Sequence, residues 1–153
     1  MSLLGKPAPA FSLLDTGRKP VSLEEQRGHK VVLAFFPAAF TGVCEKELCT
    51  FRDAMAALNE LDARVLAISV DAPFSNAAFA QRNALEFPVL SDYARTAVEA
   101  YGVAHHDFAG MPGYTAAKRS VFVVGPDGDV TWEWVAPNPG VEPDYDAVKA
   151  ALA

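Results

Sequence analysis

The two cysteines of this 153-residue chain lie within a six-residue segment, Cys44-Glu45-Lys46-Glu47-Leu48-Cys49. An apolar run at 31–36 ends at Pro37, and a helical pattern begins at about Cys44. Backbone N–H groups at a helix N-terminus have no intrahelical partner and favour negative charge, so a thiol placed there forms a thiolate more readily than a free thiol does. Because the thiolate is the reactive form of cysteine, this spacing predicts redox chemistry.

The composition is typical of a globular protein, with 51% hydrophobic and 21% charged residues. A chain of this length can bury about two-thirds of its unfolded surface in one core, and we expect a single domain over residues 1–153. The formal net charge of −6 disfavours binding to phosphate backbones and anionic membranes. We therefore expect neither nucleic acid nor a membrane among its partners.

Two further features bear on the compartment. The longest apolar stretch, 31–40, is too short to span a bilayer, and residues 1–11 lack the charged start and long apolar centre of a secretory signal. These observations predict a cytoplasmic protein. In a reducing compartment, a close pair of thiols is more often catalytic or metal-binding than structural.

The hydrophobic pattern predicts an α/β fold in which strands and helices alternate before a terminal hairpin. We expect buried strands at 31–36 and 65–70, an antiparallel hairpin at 120–124 and 130–135, short N-terminal strands at 11–14 and 19–21, and helices at 22–28, 44–60, 75–83, 95–101 and 144–152. The segment 87–90 is extended but is not counted as a strand. Such elements pack as a mixed central sheet with helices on both faces.

The segment from Pro37 to Cys44 fits the pattern Pro-x-x-x-Thr-x-x-Cys, and on this motif the chain resembles the peroxiredoxins. The segment 5–11 resembles the N-terminal loop and first strand of that family, and the segment 87–92 resembles its characteristic mid-chain segment. The resemblance implies a thioredoxin-like fold with an N-terminal hairpin extension. It also implies a thiol peroxidase that reduces hydrogen peroxide and organic hydroperoxides without a metal, haem or flavin.

The resemblance also assigns roles to single residues. Cys44 would be the peroxidatic nucleophile, Thr41 would orient the peroxide, and Pro37 would shield the sulfur from water. Arg119 would hold the thiolate and the peroxide oxygens, and Glu47 would orient that arginine. Each role has a structural alternative: Thr41 as a helix cap, Pro37 as a strand terminator, Arg119 as a surface ion pair, and Glu47 as an exposed helix residue.

The role of Cys49 separates two subgroups of the family. The bacterioferritin-comigratory (PrxQ) type often carries a resolving cysteine five residues after the peroxidatic one, whereas the loop before Cys44 resembles the one-cysteine AhpE type. In an intact helix, Cα atoms five residues apart are roughly 8.6 Å apart, and a disulfide needs at most about 7 Å. Resolution by Cys49 would therefore require local unwinding, and inert core packing is the alternative.

The resemblance implies a thioredoxin-like or glutaredoxin-like protein as the reductant, and a monomer or a homodimer as the assembly. Three other functions stay open: a one-cysteine peroxidase resolved by an external thiol, a redox sensor or chaperone-like binding module, and, less favoured, a general disulfide oxidoreductase. A metal site formed by His105, His106 and the two cysteines is also disfavoured, because zinc sites prefer Cys-x-x-Cys pairs and spaced histidines.

Overall fold

A computed structural model of the chain describes residues 2–153, without the side chains of Met55 and Ala56. The strands are β1 (Ser12–Leu14), β2 (Pro20–Ser22), β3 (Lys30–Phe35), β4 (Ala63–Ser69), β5 (Val89–Ser91), β6 (Ala104–His105), β7 (Ala116–Ala117), β8 (Ser120–Val124) and β9 (Val130–Val135). The α-helices are α1 (Gly42–Asp53), α2 (Met55–Glu60), α3 (Pro73–Arg82), α4 (Thr96–Ala100) and α5 (Tyr145–Leu152).

Seven of these strands form one mixed sheet in the order β2-β1-β5-β4-β3-β8-β9, and β6 pairs with β7 separately. The central strand β3 runs parallel to β4 and antiparallel to β8. Because β3 and β4 are covered on both faces, they are almost continuously apolar, as the sequence predicted. Helices α1, α2, α3 and α5 pack on one face and α4 on the other. This arrangement confirms the predicted α/β fold, including the N-terminal β1–β2 hairpin.

Three sequence predictions need correction. The segment 87–90 does contribute a strand, since β5 pairs in parallel with β4 at Ala67 and Val89; a three-residue strand is too short to show a period of its own. The helix predicted at 22–28 is a single 3₁₀ turn, Glu24–Gln26, and none of its residues is buried to anchor a longer helix. The helix predicted at 44–60 is divided at Ala54, where ψ is 0°.

Other predictions hold. The β8–β9 hairpin forms as expected, and α5 begins at the predicted N-cap, because the Asp144 carboxylate accepts hydrogen bonds from the N–H groups of Asp146 and Ala147. None of the described helices combines the length and apolar character needed to cross a membrane.

Candidate active site

The loop between β3 and α1 places the first cysteine. The loop begins at Pro37, which is buried, and the N–H of Ala39 donates to Oδ2 of Asp71 at 2.8 Å, just beyond the end of β4. Phe40 adopts a left-handed conformation with φ of 65°, which is strained for a bulky residue, and its ring packs edge-on against Phe79. Contacts with Asp71, after β4, and with Phe79 of α3 therefore fix the position of the loop.

Cys44 lies in the first turn of α1 and is fully buried. Its Sγ atom accepts a hydrogen bond from Nη2 of Arg119 at 3.1 Å. The strand register explains this contact, since Phe35 at the end of β3 pairs with Ser120 at the start of β8, and Arg119 directly precedes Ser120. A guanidinium at this distance stabilises a negative charge on the sulfur.

Arg119 itself is 2% exposed, and each of its three guanidinium nitrogens donates to a different group. Nη1 donates to Oε1 of Glu47 at 2.7 Å, and Nε donates to the carbonyl oxygen of Pro139 at 3.1 Å. Burial alone would lower the pKa of Arg119, but the charges and hydrogen bonds of Glu47 and Cys44 outweigh it and raise the pKa. The three hydrogen bonds fix the orientation of the guanidinium, which stays positively charged and donates one of these bonds to the sulfur.

Glu47 lies three residues after Cys44, so both side chains project from one face of α1. It is fully buried, not exposed on the helix surface. Burial raises the pKa of Glu47 to about 7, although the charge of Arg119 and its hydrogen bond act in the opposite direction.

Thr41 and Pro37 lie beside this cluster. Thr41 occupies the N-cap position of α1, yet its side chain makes no capping hydrogen bond; its hydroxyl donates to the carbonyl oxygen of Ala38 at 2.8 Å. Its side chain is exposed, in contrast to the buried Pro37. Contact between the Thr41 hydroxyl and a peroxide stays a prediction.

Cys49 is on the same continuous helix as Cys44 but does not join the cluster around Arg119. It is half-buried, and its Sγ donates to Oδ1 of Asn83 at 3.4 Å, just beyond the end of α3. Both cysteines are free thiols. Arg52, one turn further along α1, donates to the carbonyl oxygen of Asn83 at 2.6 Å. These two contacts bind the second half of α1 to α3.

Residues 4–133 match the family model described as the AhpC/TSA family. The chain belongs to the AhpC/TSA family. It is 41% identical over 128 residues to alkyl hydroperoxide reductase E from Mycobacterium tuberculosis, a match that covers 82% of this chain and 80% of that relative. Among solved structures it is similar to peroxidoxin BcpB from Mycobacterium tuberculosis, with a TM-score of 0.86 and 30% identity over 99% of this chain and 97% of the other.

A second similar structure is peroxiredoxin Q from Xanthomonas campestris, with a TM-score of 0.81 and 27% identity over 93% of this chain and 89% of the other. These similarities confirm the predicted peroxiredoxin family and thioredoxin-like fold. Relatives named for both predicted subgroups are among them, in agreement with the combination of loop and cysteine spacing. This peroxiredoxin is a thiol-dependent peroxidase, and its substrates are peroxides.

The histidine pair of this peroxiredoxin is not gathered with its cysteines. His105 packs edge-on against Phe108, and His106 faces Glu99 and Thr115. Within the described part of the chain, no group of three or more histidine, cysteine or acidic side chains is arranged to hold a metal ion.

Sequence reasoning missed three residues that contact the site region. Asp71 could have been found, because it follows β4 at the sheet edge where the parallel strand β3 also ends. Asn83 gives no such signal, since its contact with Cys49 depends on how α3 packs against α1. Pro139 contributes only its backbone carbonyl, so its residue type carries no information about the contact.

Proposed function

We propose that this peroxidase uses Cys44 as its peroxidatic nucleophile and Cys49 as the resolving thiol. A thioredoxin-like or glutaredoxin-like protein then reduces the resulting intramolecular disulfide. The observation that carries the proposal is the hydrogen bond from Nη2 of Arg119 to the buried sulfur of Cys44. Through this contact, the positive charge of the Arg119 guanidinium stabilises a thiolate at the cysteine of the family's active-site motif.

In the first step, the Cys44 thiolate attacks one oxygen of the peroxide, the O–O bond breaks, and the electron pair leaves with the departing alkoxide or hydroxide. The products are a sulfenic acid and, after protonation, an alcohol or water. Arg119 stabilises the charge moving from sulfur to oxygen, and its contacts to Glu47 and Pro139 keep the guanidinium oriented before the peroxide arrives. Thr41 orients the peroxide at the entrance of the loop, and Pro37 excludes water.

In the second step, the thiol of Cys49 displaces water from the sulfenic acid and a disulfide forms. This step requires α1 to unwind, because the two Cα atoms are too far apart in an intact helix. The helix is short and ends at Asp53, so unwinding need not pass into α2. Exchange with an external dithiol then returns both cysteines to the reduced state.

A one-cysteine peroxidase is the second candidate, and one observation favours it. The thiol of Cys49 donates a hydrogen bond to Asn83, just beyond the end of α3, and does not join the cluster around Cys44. In that scheme an external thiol would resolve the sulfenic acid, and Cys49 would serve only in packing.

We also propose that the reaction takes place in the cytoplasm, since the reduction of the disulfide by a thioredoxin-like or glutaredoxin-like protein requires a reducing compartment. Both cysteines belong to one chain, so the proposed cycle is compatible with a monomer or a homodimer.

Intact-mass spectrometry after one equivalent of peroxide tests this scheme. The reduced protein should lose two hydrogens as the disulfide forms, Cys49→Ser should gain one oxygen, and Cys44→Ser should remain unchanged. A gain of one oxygen in the parent protein, matching the Cys49→Ser variant, would favour the one-cysteine scheme instead.

A further inference from the structure

In this peroxiredoxin the buried guanidinium of Arg119 contacts two acidic groups, the thiol of Cys44 and the carboxyl group of Glu47. Arg119 donates through Nη2 to the sulfur of Cys44 and through Nη1 to the carboxyl group of Glu47. Both acids are fully buried and lie on adjacent turns of one face of α1. If both were ionised, the cluster would hold two negative charges against one positive charge, out of contact with water.

The groups around Glu47 make that second negative charge still less favourable. Glu142, on the segment before α5, adds negative charge near Glu47. Glu142 is itself held by Lys46 at 3.1 Å and by the hydroxyl of Tyr145 at 2.7 Å, so its carboxylate is stabilised in the charged form and its pKa is lowered. The charge of Lys46 is thereby paired with Glu142, and Arg119 is the cation that contacts Glu47.

The hydrogen bonding of Glu47 is incomplete in a way that favours its neutral form. Oε1 accepts the bond from Arg119, but Oε2 is buried with no hydrogen-bond partner in the described structure. An unpartnered oxygen costs much more free energy when it carries charge than when it carries a proton. The raised pKa of Glu47, about 7, agrees with this geometry.

We propose that Glu47 holds a proton while Cys44 is a thiolate and releases it when Cys44 becomes a sulfenic acid. The thiolate loses its charge as the S–O bond forms and the O–O bond breaks, so the negative charge beside Arg119 passes from sulfur to the Glu47 carboxylate. The proton lost by Glu47 balances the proton gained by the departing alkoxide or hydroxide. Glu47 acts through Arg119 and is a positioning residue that also carries charge.

This proposal rests on the oxidation of Cys44 by peroxide, and the first test measures that oxidation and the proton release from Glu47 separately. The Cys49→Ser variant is used so that the reaction stops at the sulfenic acid, and it is mixed with peroxide at about pH 7.5 in weak buffer with a pH indicator. At this pH a carboxyl group with a pKa of about 7 is mostly ionised once the sulfur is neutral, whereas the charge of an adjacent thiolate raises the pKa further and keeps the proton on Glu47. Loss of thiolate ultraviolet absorbance counts the oxidised Cys44, and the indicator counts protons taken from solution. An unchanged thiolate signal would refute the oxidation itself.

With Glu47 present, we expect proton uptake clearly below one proton per thiolate lost, because the carboxyl group supplies the remainder. In Glu47→Gln, which keeps an oxygen for Arg119 but has no proton to release, uptake should approach one. Uptake of one proton in both proteins, with normal thiolate loss, would overturn the role of Glu47 alone. Glu45→Gln is the matched control, since it removes an acid of the same helix that makes no hydrogen bond to Arg119 and should leave the uptake below one.

Infrared difference spectroscopy of the Cys49→Ser protein gives a second measurement that does not depend on folding of Glu47→Gln. Oxidation should remove one carbonyl stretch of a protonated carboxylic acid and add carboxylate bands. If no such carbonyl signal is lost, Glu47 does not release a proton and the proposal fails.

Discussion

Replacing Arg119 by lysine separates the charge at this position from the geometry of the guanidinium. The arginine makes three hydrogen bonds at once, to Cys44, Glu47 and Pro139. A lysine ammonium keeps the positive charge but is a single nitrogen, so it cannot occupy three donor positions separated by the width of a guanidinium. We expect it to lose directed contact with either the sulfur or the carboxyl group of Glu47.

The magnitude follows from the number of donors lost. Removing one preorganised donor to a developing charge lowers a rate roughly 100- to 1000-fold, while the retained ammonium charge moderates this loss. We therefore expect the second-order rate constant for Cys44 oxidation to fall roughly 10- to 1000-fold in Arg119→Lys. This corresponds to about 1.4 to 4 kcal/mol in the activation free energy.

Stopped-flow measurement of sulfenic acid formation under pseudo-first-order conditions gives the rate constant directly. Arg82→Lys is the matched control: it makes the same change at the exposed end of α3, where the guanidinium lies over the Phe40 ring with no contact to the sulfur. Circular dichroism and thermal unfolding establish that both variants are folded. Equal rate constants for the parent and a folded Arg119→Lys protein would show that Arg119 has a structural role only, and the reasoning from its donors would be wrong.

Three further predictions concern the cysteines and Glu47. Cys44→Ser should abolish peroxide consumption, because a serine alkoxide is not accessible at neutral pH, and peroxidase activity comparable to the parent would contradict the assignment of the nucleophile. Cys49→Ser should keep the parent's rate of first oxidation but lose thioredoxin-linked turnover, which a coupled assay measures, and mass spectrometry should show that it forms sulfinic acid faster. If turnover is unchanged, and residues 43–51 show equal amide-exchange protection in both redox states, the protein is a one-cysteine enzyme. Because the pKa of Glu47 is raised, the folded state binds more protons than the unfolded state between pH values of about 4.5 and 7. The free energy of unfolding should therefore fall by up to about 3 kcal/mol as the pH rises through that range. Denaturant titrations across this range should show a smaller slope in Glu47→Gln, and parallel curves for the two proteins would show that Glu47 titrates normally.

The sequence predicted the main elements of the fold where local pattern is strong. Continuous apolar runs identified β3 and β4, and the turn sequence Pro126-Asp127-Gly128-Asp129 between the two predicted strands identified the β8–β9 hairpin. Prediction failed for β5, because a three-residue strand is defined by its pairing with β4 and not by its own periodicity. It also missed the division at Ala54, since a good helix former gives no local signal of a break.

For the site, the sequence by itself determined the position of Cys44 at the start of a helix after a buried strand, and the family motif around it. These features depend on residues close together in the chain. The tertiary structure decided which groups meet the sulfur, because Arg119 lies 75 positions away and reaches Cys44 only through the register of β3 and β8. It also decided that Glu47 is buried against that arginine and that Cys49 faces Asn83. Contacts of this kind arise from the packing of separate elements, and no local pattern of residues specifies them.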